Sequence, residues 1–351
     1  MEENIRFSVV IIVYNQIKYI SECVQSVLDQ TYPAYEIIIV DDGSTDGSGE
    51  YVRSEAEKYP NLIKVITQEN SGAFVARATG MKHVTGDYFI VIDSDDALRK
   101  DALEIVAGKL QHNDADLMLI NFSKKFDYST PAYDYMSAGV VADTKGYVDK
   151  KTYLKILALS DNLNSMFFKF WKTELIAKVD VDEYGVGLKS GEDRIHTLML
   201  SDAAKSIMLV DEPLYYYRTN FDSATQTYNP QSIELTAKSY KVNSMYTYKW
   251  FEPEKAKLIL EQFESRSYRH YYLKPFYACR NWNEAKAALK ECLSDEYGYA
   301  VLQKEALKDK PQINKRLLKA LLKRDYKSLH IYYLKFYMNR AFARLLQKNS
   351  E

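Results

Sequence analysis

Short apolar runs alternate with amphipathic segments along the first third of the chain, and this alternation constrains the fold more than any other feature. Runs such as Phe7–Val13 have the composition of buried strands, whereas Ile17–Gln30 carries apolar residues at helical spacing. Because parallel strands need long crossovers that are usually helical, the pattern predicts an α/β fold, a mostly parallel sheet flanked by helices. The expected strands are Phe7–Val13, Glu36–Val40, Leu62–Thr67, Tyr88–Ile92 and Leu117–Phe122, and the expected helices are Ile17–Gln30, one from Asp46 or Ser48 to Tyr59, Gly72–His83 and Asp101–Leu110.

The pattern loosens beyond Lys125. The stretch Asp127–Val148 has no clear period and predicts an excursion or an irregular hairpin. From Ser232 onward the chain is polar, aromatic-rich and helical in period, so helix boundaries are expected at three prolines, Pro253, Pro275 and Pro311.

This change of pattern divides the chain into two predicted domains. The first spans residues 1–228, with halves 1–125 and 126–228, and a mainly helical C-terminal region spans 229–351. The boundary is expected at Tyr228-Asn229-Pro230, where turn-forming residues interrupt the pattern.

Composition excludes several classes of protein. Hydrophobic residues make up 46% of the 351 residues, enough for a sizeable core. The cysteines Cys23, Cys279 and Cys292 are odd in number and lack metal-ligand spacing, so we expect neither a disulfide framework nor a structural zinc site. This cysteine usage fits a reducing cytosol. Phe7–Val13 is too short for a signal-peptide core, and no run approaches the roughly 18 to 20 apolar residues of a transmembrane helix. We therefore expect a cytoplasmic protein whose membrane contact would be peripheral.

Carboxylates follow two of the predicted strands, as Asp41-Asp42 and as Asp93-Ser94-Asp95-Asp96. The carboxyl ends of parallel strands share one sheet edge, where ligands bind, so both clusters should face one cleft. Clustered carboxylates repel each other unless a cation offsets their charge, and hard divalent ions prefer oxygen ligands. In Asp93-x-Asp95, one carboxylate can ligate a divalent ion that also binds diphosphate oxygens. The other carboxylate can accept a hydrogen bond from a ribose hydroxyl. The alternative is a solvated acidic turn that caps a helix from Leu98.

Arg77 lies one turn inside the predicted helix Gly72–His83. Free N–H groups at such a helix start favour an anion, and arginine can hold a phosphate through two hydrogen bonds. An ordinary surface arginine is the alternative.

A third acidic pair, Glu192-Asp193, precedes apolar residues at helical spacing. Acids in the first turn favour the helix dipole, but a carboxylate there can also serve as a general base, and the residues alone leave both interpretations open. His196 would share a helical face with Asp193 and is a candidate metal ligand; the other histidines show no paired ligand spacing.

Five short motifs follow one another between Phe7 and about Tyr228. They are Val13-Tyr14-Asn15, Asp41-Asp42-Gly43-Ser44-Thr45-Asp46, Asn70-Ser71-Gly72 with Ala76-Arg77, Asp93-Ser94-Asp95-Asp96 and Gly191-Glu192-Asp193. This series resembles the family 2 glycosyltransferases with the Rossmann-like GT-A fold. The resemblance implies an inverting enzyme that uses Mg²⁺ or Mn²⁺ and a nucleotide-sugar donor, usually linked to uridine diphosphate (UDP). It assigns the nucleotide to residues 1–125 and the acceptor to 126–228.

The resemblance also implies a role for each motif residue. Asp41 would accept a hydrogen bond from the uracil ring, Asp93 would bind the ribose and Asp95 would ligate the metal. Asp193 would be the catalytic base of one in-line displacement at the anomeric carbon, with Glu192 supporting the acceptor or serving as the base instead. The nucleotide-binding residues that it implies are Val13, Tyr14, Asn15, Asp41, Asp42, Arg77, Asp93, Ser94 and Arg218.

Some positions depart from the family's pattern. Ile12 stands where many relatives have proline. Lys169 matches a segment in which relatives often carry Trp-Asn-Lys, but its neighbours differ, so that segment gives no prediction of acceptor recognition. Arg218 follows three tyrosines and could reach the diphosphate, with buried aromatic packing as the alternative for the tyrosines.

The C-terminal stretch 304–348 is strongly basic, with 13 Lys and Arg against three acids, although the whole chain carries a net charge of −1. Apolar residues interleave with these charges, as in a helix that lies on an anionic membrane surface. The alternative is a helix that packs its apolar face on the protein. Nothing before residue 304 supports nucleic-acid binding.

The expected function is transfer of one sugar to a glycan or lipid-linked acceptor in the synthesis of a bacterial capsule, exopolysaccharide or cell-wall intermediate. A sugar-nucleotide nucleotidyltransferase would carry a Gly-rich, basic phosphate loop after the first strand, where this chain has Tyr14-Asn15-Gln16. A non-catalytic binding or scaffold protein is the other alternative.

Overall fold

The computed structural model describes residues 4–161, 163–184, 193–219, 232–309, 311 and 313–348. Its contacts divide the chain into two compact units, Met1–Thr219 and Asn220–Glu351. The boundary expected at Tyr228-Asn229-Pro230 lies outside the described residues.

The described part of the first unit contains one eight-stranded sheet with helices around it. Its strands are β1 (Phe7–Val13), β2 (Glu36–Asp41), β3 (Ile63–Thr67), β4 (Tyr88–Asp93), β5 (Ala97–Leu98), β6 (Leu117–Ser123), β7 (Lys169–Lys172) and β8 (Ile207–Tyr216). Its helices are α1 (Ile20–Leu28), α2 (Ser48–Lys58), α3 (Ala73–Met81), α4 (Ala102–Leu110), α5 (Lys150–Leu159), a 3₁₀ helix (Thr173–Lys178) and α6 (Asp193–Ala203).

The strand order is β3-β2-β1-β4-β7-β6-β8-β5. Strands β1 to β4 pair in parallel, and every residue of β1 is buried, so β1 is the centre of the nucleotide-facing half. The register places Val13 beside Asp41 and Ile12 beside Asp93. This confirms that both acidic clusters lie at one edge of the sheet.

The sheet is mixed rather than wholly parallel. Strand β7 pairs antiparallel with both β4 and β6, while β6 and β8 are parallel. The two-residue strand β5 pairs antiparallel with β8, so no helix starts at Leu98. The stretch Asp127–Val148 is irregular, with an antiparallel bridge between Ala142 and Val148.

Helix α3 lies directly on the parallel strands. A side chain at Gly80 would place its Cβ 2.3 Å from Val10 Cγ1 and 3.4 Å from Val40 Cγ2. The glycine therefore lets α3 approach β1 and β2 closely, and this contact fixes the helix that carries Arg77.

The described part of the second unit is helical. Its helices are α7 (Ser232–Trp250), α8 (Pro253–Ala278), α9 (Trp282–Cys292), α10 (Glu296–Ala306), α11 (Lys315–Leu322) and α12 (Tyr326–Lys348). Pro253 starts α8 and Pro311 lies between two helices, as predicted, but the boundary expected at Pro275 is wrong. Pro275 is buried three residues before the end of α8, where packing of Tyr271, Tyr272 and Phe276 outweighs a proline cost of about 3 kcal/mol. None of the described helices combines the length and apolar character needed to cross a bilayer.

Candidate active site

The acidic turn that follows β4 is held from below by a buried carboxylate. Asp96 is almost inaccessible, and its backbone N–H donates to the Asp93 carbonyl at 3.1 Å. Its carboxylate accepts from the Tyr215 hydroxyl at 2.5 Å and from the Arg218 backbone N–H at 2.8 Å. Burial raises the pKa of Asp96 well above its usual value, and the neighbouring charges of Asp95 and Asp93 raise it further. Asp96, which has no assigned role in the sequence motifs, thus braces the turn.

Asp93 and Asp95 are the partly exposed carboxylates of this turn, and Ser94 between them is buried. The side chain of Asp93 is 30% exposed, and its Oδ1 accepts a hydrogen bond from Arg77 Nη2 at 3.1 Å. The backbone N–H of Asp93 donates to the Tyr215 hydroxyl at 3.3 Å. The turn therefore presents two carboxylates to the cleft on a rigid base.

The second acidic cluster follows β2 and is buried. Asp41 Oδ1 accepts from the Ser44 backbone N–H at 2.9 Å, and Gly49 in the first turn of α2 lets the backbone lie against the Asp41 carboxylate. Asp42 accepts from the backbone N–H groups of Ser71 and Gly72, each at 2.9 Å. Asp42 thereby ties the end of β2 to the start of α3.

The Val13-Tyr14-Asn15 segment turns the chain away at the end of β1. Val13 is buried, whereas Tyr14 is 48% exposed. Asn15 adopts a positive φ of 52°, which asparagine tolerates better than most residues, and its side-chain oxygen accepts from the Thr45 N–H at 2.8 Å. The loops after β1 and β2 are therefore joined by hydrogen bonds beside Asp41.

Arg77 joins two of the predicted site residues. It projects from α3, is 5% exposed, and forms ion pairs with Asp93 at the end of β4 and with Asp193 at the start of α6. The structure thus places the proposed ribose-binding carboxylate and the proposed base on one guanidinium. Gly191 and Glu192 lie outside the described residues.

Asp193 also lies near a second buried cation. Lys169 on β7 is fully buried; its Nζ donates to the Ser165 carbonyl at 2.5 Å and lies 3.6 Å from the centre of the Phe168 ring. Burial lowers the pKa of Lys169 well below its usual value, while the charge of Asp193 acts in the opposite direction. Sequence reasoning gave Lys169 no role, because its burial depends on strand pairing.

Tyr217 is a half-buried aromatic residue near the acidic turn. Its ring stacks on Phe167 with a centroid separation of 5.3 Å. Burial raises the pKa of Tyr217 to about 12, and the charges of four carboxylates, Asp96, Asp93, Asp95 and Asp193, contribute. The hydroxyl therefore lies within electrostatic reach of both the acidic turn and the proposed base.

Arg218 joins the acidic turn to α1. Its Nε donates to the Asp95 carbonyl at 2.8 Å, and its guanidinium forms an ion pair with Glu22 and lies over the ring of Tyr19. Tyr215 is the first of the three tyrosines before Arg218. It is fully buried, in agreement with the aromatic-packing alternative for this residue. A reach from Arg218 to a diphosphate stays a prediction.

His196 is part of the core. It is 1% exposed, its ring stacks on Phe74 at 4.0 Å, and Nε2 lies 3.0 Å from the Val181 carbonyl oxygen. Burial lowers the pKa of His196 to about 3, so the ring is neutral at physiological pH. A metal-ligand role for His196 finds no support in this packing.

The donor set of the turn fits a divalent ion that takes most of its ligands from a substrate. The described residues contain no group of three or more His, Cys, Asp or Glu side chains that could hold a metal by itself. Mg²⁺ and similar ions are often bound by one or two carboxylates together with substrate phosphates. Burial is the main cause of the raised pKa of Asp96, and the charges of Asp95 and Asp93 add a repulsion of the kind that such an ion relieves.

Comparison with known proteins places these features in a family. The family model described as "Glycosyl transferase family 2" matches residues 8–176. The putative glycosyltransferase EpsH of Bacillus subtilis is 30% identical over 240 residues, covering 68% of each chain. The glycosyltransferase GlyG of Streptococcus pneumoniae is 31% identical over 236 residues, covering 63% of this chain and 73% of GlyG.

Solved structures share the fold. The crystal structure of Staphylococcus aureus TarS 1–349 in complex with UDP-GlcNAc aligns with a TM-score of 0.61 at 21% identity, covering 95% of this chain and 92% of that chain. TarS itself is a poly(ribitol-phosphate) β-N-acetylglucosaminyltransferase, 26% identical over 216 residues, which cover 61% of this chain and 35% of TarS. The predicted GT-A fold, a mostly parallel sheet with a helical C-terminal region, is confirmed.

Proposed function

Because the chain belongs to the family 2 glycosyltransferases, we propose that it moves a sugar from a UDP-linked donor to a hydroxyl of a glycan or lipid-linked acceptor during synthesis of a bacterial surface polysaccharide, a capsule or an exopolysaccharide. The observation that carries this proposal is the sheet edge that holds both Asp41 and Asp93, where Arg77 joins Asp93 to Asp193 at the start of α6. The complex of TarS with UDP-GlcNAc supports the choice of UDP.

In this proposal the loops after β1 and β2 hold the uracil ring of the donor. Tyr14 is exposed beside buried Asp41, which would accept from the uracil N–H. Val13, Asn15 and Asp42 act by holding these loops in place, through the register with β2 and the hydrogen bonds to Thr45 and Gly72.

The acidic turn would bind the rest of the donor. Asp93 would accept from the ribose, Ser94 would shape the turn from its buried position, and Asp95 would ligate Mg²⁺ or Mn²⁺. Such an ion offsets the negative charge that develops on a departing diphosphate. Arg218, whose Nε donates to the Asp95 carbonyl, would orient Asp95 and contact the diphosphate.

Asp193 would accept the proton of the attacking hydroxyl. The acceptor oxygen forms a bond to the anomeric carbon, the bond from that carbon to the diphosphate oxygen breaks, and UDP leaves with the bonding electrons. A single displacement of this kind inverts the anomeric centre. Glu192, on the residue before Asp193, would support the acceptor or take the proton instead.

The test is donor binding and turnover. Isothermal calorimetry with UDP, with and without Mn²⁺, followed by a hydrolysis and transfer screen with a panel of nucleotide sugars, should reveal metal-dependent turnover of a UDP-sugar. Asp95→Asn should remove the metal dependence of UDP binding and lower turnover by about 10²-fold or more while leaving thermal stability unchanged. Full activity in Asp95→Asn would exclude the metal role of this residue. Nucleotide binding without any turnover would favour the non-catalytic scaffold.

The second unit would bring the enzyme to its acceptor by contacting an anionic membrane surface. Helix α12 packs Leu329 and Tyr333 into the helical core, and its opposite face exposes an apolar stripe. The stripe consists of Ile331, Leu334 and Met338, which are 68%, 47% and 69% exposed. Exposed Lys327 and Lys335 flank it. Apolar residues between lysines match the charge and polarity of an anionic lipid interface.

Cosedimentation with vesicles tests this contact. The protein should bind vesicles that contain phosphatidylglycerol and not vesicles of phosphatidylcholine alone, and Leu334→Glu with Met338→Glu should abolish the binding. Leu258→Glu is the matched control, because Leu258 is 60% exposed on α8 of the same unit. Unchanged binding by the double variant, or equal binding to both vesicle types, would contradict the proposal.

A further inference from the structure

Arg77 was predicted to hold a phosphate, but the contacts of its buried side chain are with protein carboxylates. The side chain is 5% exposed, and among the described residues Nη2 forms an ion pair with Asp93 and Nη1 forms one with Asp193. The two carboxylates belong to separate elements, β4 and α6. Each terminal nitrogen of the guanidinium therefore pairs with a protein carboxylate.

A phosphate held by two hydrogen bonds from Arg77 would compete with these carboxylates for the same terminal nitrogens. Only the arginine of these pairs is buried, since the side chains of Asp93 and Asp193 are 30% and 23% exposed. Loss of the pairs would leave the buried guanidinium without the carboxylates that offset its charge, which costs free energy. The planar guanidinium instead suits the task of fixing two carboxylates at once, because its donors diverge in a rigid fork. Arg77 thus bridges Asp93, the proposed ribose ligand, and Asp193, the proposed base.

We propose that Arg77 is a positioning residue, which holds Asp193 in the orientation that accepts the acceptor proton and joins it to Asp93. This inference rests on the proposed function, because it takes Asp193 as the base. The guanidinium favours the ionised form of Asp193, the form that can accept a proton. Lys169, buried on β7, also interacts electrostatically with the same carboxylate.

The bridge leads to specific expectations for Arg77→Gln. A positioned general base contributes about 10²- to 10⁴-fold to a rate, so loss of its orientation should lower kcat by about 30- to 100-fold. The ratio of UDP affinity to uridine affinity should stay within about threefold of wild type, because the guanidinium does not hold the diphosphate. Arg77→Lys, which keeps the charge and loses the fork, should recover part of kcat.

The deciding experiment is a double-mutant cycle on the full chain, with kcat measured for Arg77→Gln, Asp193→Asn and the double variant. If Arg77 acts through Asp193, adding Arg77→Gln to Asp193→Asn should lower kcat by less than about threefold. If the fold-losses in kcat of the two single variants multiplied in the double variant, the proposal would be overturned. Calorimetry with UDP and uridine is the second arm, and a loss of UDP affinity with uridine affinity unchanged would also overturn it and restore the phosphate grip.

Arg99→Gln is the matched control, because Arg99 also bridges two carboxylates, Asp101 and Glu212, neither of which is a proposed site residue. It should leave kcat and both affinities unchanged. If wild type transferred no sugar from any donor, the proposed function would fail. In that case the ratio of UDP to uridine affinity would still decide whether Arg77 grips phosphate.

Discussion

Helix α3, which carries Arg77, packs closely on the sheet at Gly80. This close contact allows a quantitative prediction. In Gly80→Ala the new methyl would lie 2.3 Å from Val10 Cγ1. Carbon atoms prefer separations of about 3.5 to 4.0 Å, so the helix or the strand must move by more than about 1 Å. Val10 cannot yield easily, since it is a β-branched residue buried in the central strand β1.

The size of the effect follows from two opposing terms. Alanine gains about 0.8 to 1 kcal/mol over glycine in a helix interior. Overpacking a close contact costs about 1 to 3 kcal/mol, and a rigid neighbour favours the upper part of this range. We expect Gly80→Ala to lower the free energy of unfolding by about 1 to 2 kcal/mol. Gly108→Ala in α4, where the new Cβ would meet nothing within 4 Å, should raise it by about 0.5 to 1 kcal/mol.

Urea unfolding followed by tryptophan fluorescence can measure the difference. The chain has three tryptophans, and Trp171 is the one in the first unit. In a background with Trp250→Phe and Trp282→Phe, the signal therefore reports the unit that contains α3. Gly80→Ala as stable as Gly108→Ala would refute the close packing of α3 on β1.

Three further predictions concern single side chains. Gly49→Ala would place its Cβ 2.4 Å from Asp41 Oδ2, so calorimetry should show about tenfold weaker uridine binding. Because the folded pKa of His196 is lowered to about 3, stability should fall by up to about 1.4 kcal/mol per pH unit below pH 6.5, and urea titrations of His196→Phe should lack this component. Tyr215→Phe removes the hydroxyl that donates to Asp96 and should cost about 1 to 3 kcal/mol in the same assay. Equal uridine affinity, an unchanged acid slope or unchanged stability, respectively, would contradict these expectations.

The sequence predicted the nucleotide-facing half of the sheet well because its signals are local. The strand Phe7–Val13 matches β1 at both ends, and strands β2 to β4 agree to within one residue. Acids at the ends of β2 and β4 had to meet at one edge once the strands were parallel, and the register shows this.

Long-range contacts were not predictable from the chain alone. Strand β7 is four residues long and joins β4 to β6 antiparallel, a pairing that no local period encodes. The burial of Asp96 depends on Tyr215, 119 residues away. Arg77 was expected to bind phosphate because of its helix position, but its partner Asp193 comes from a distant helix.

The most direct test of the proposed function is turnover by Asp193→Asn, with nucleotide binding measured on the same sample. Asp202→Asn, nine residues further along α6, is the control. We predict that Asp193→Asn binds UDP within about threefold of wild type and transfers sugar about 10²-fold more slowly or worse, whereas Asp202→Asn matches wild type. Wild-type turnover by Asp193→Asn would contradict the assignment of Asp193 as the base and move that role to Glu192 or elsewhere.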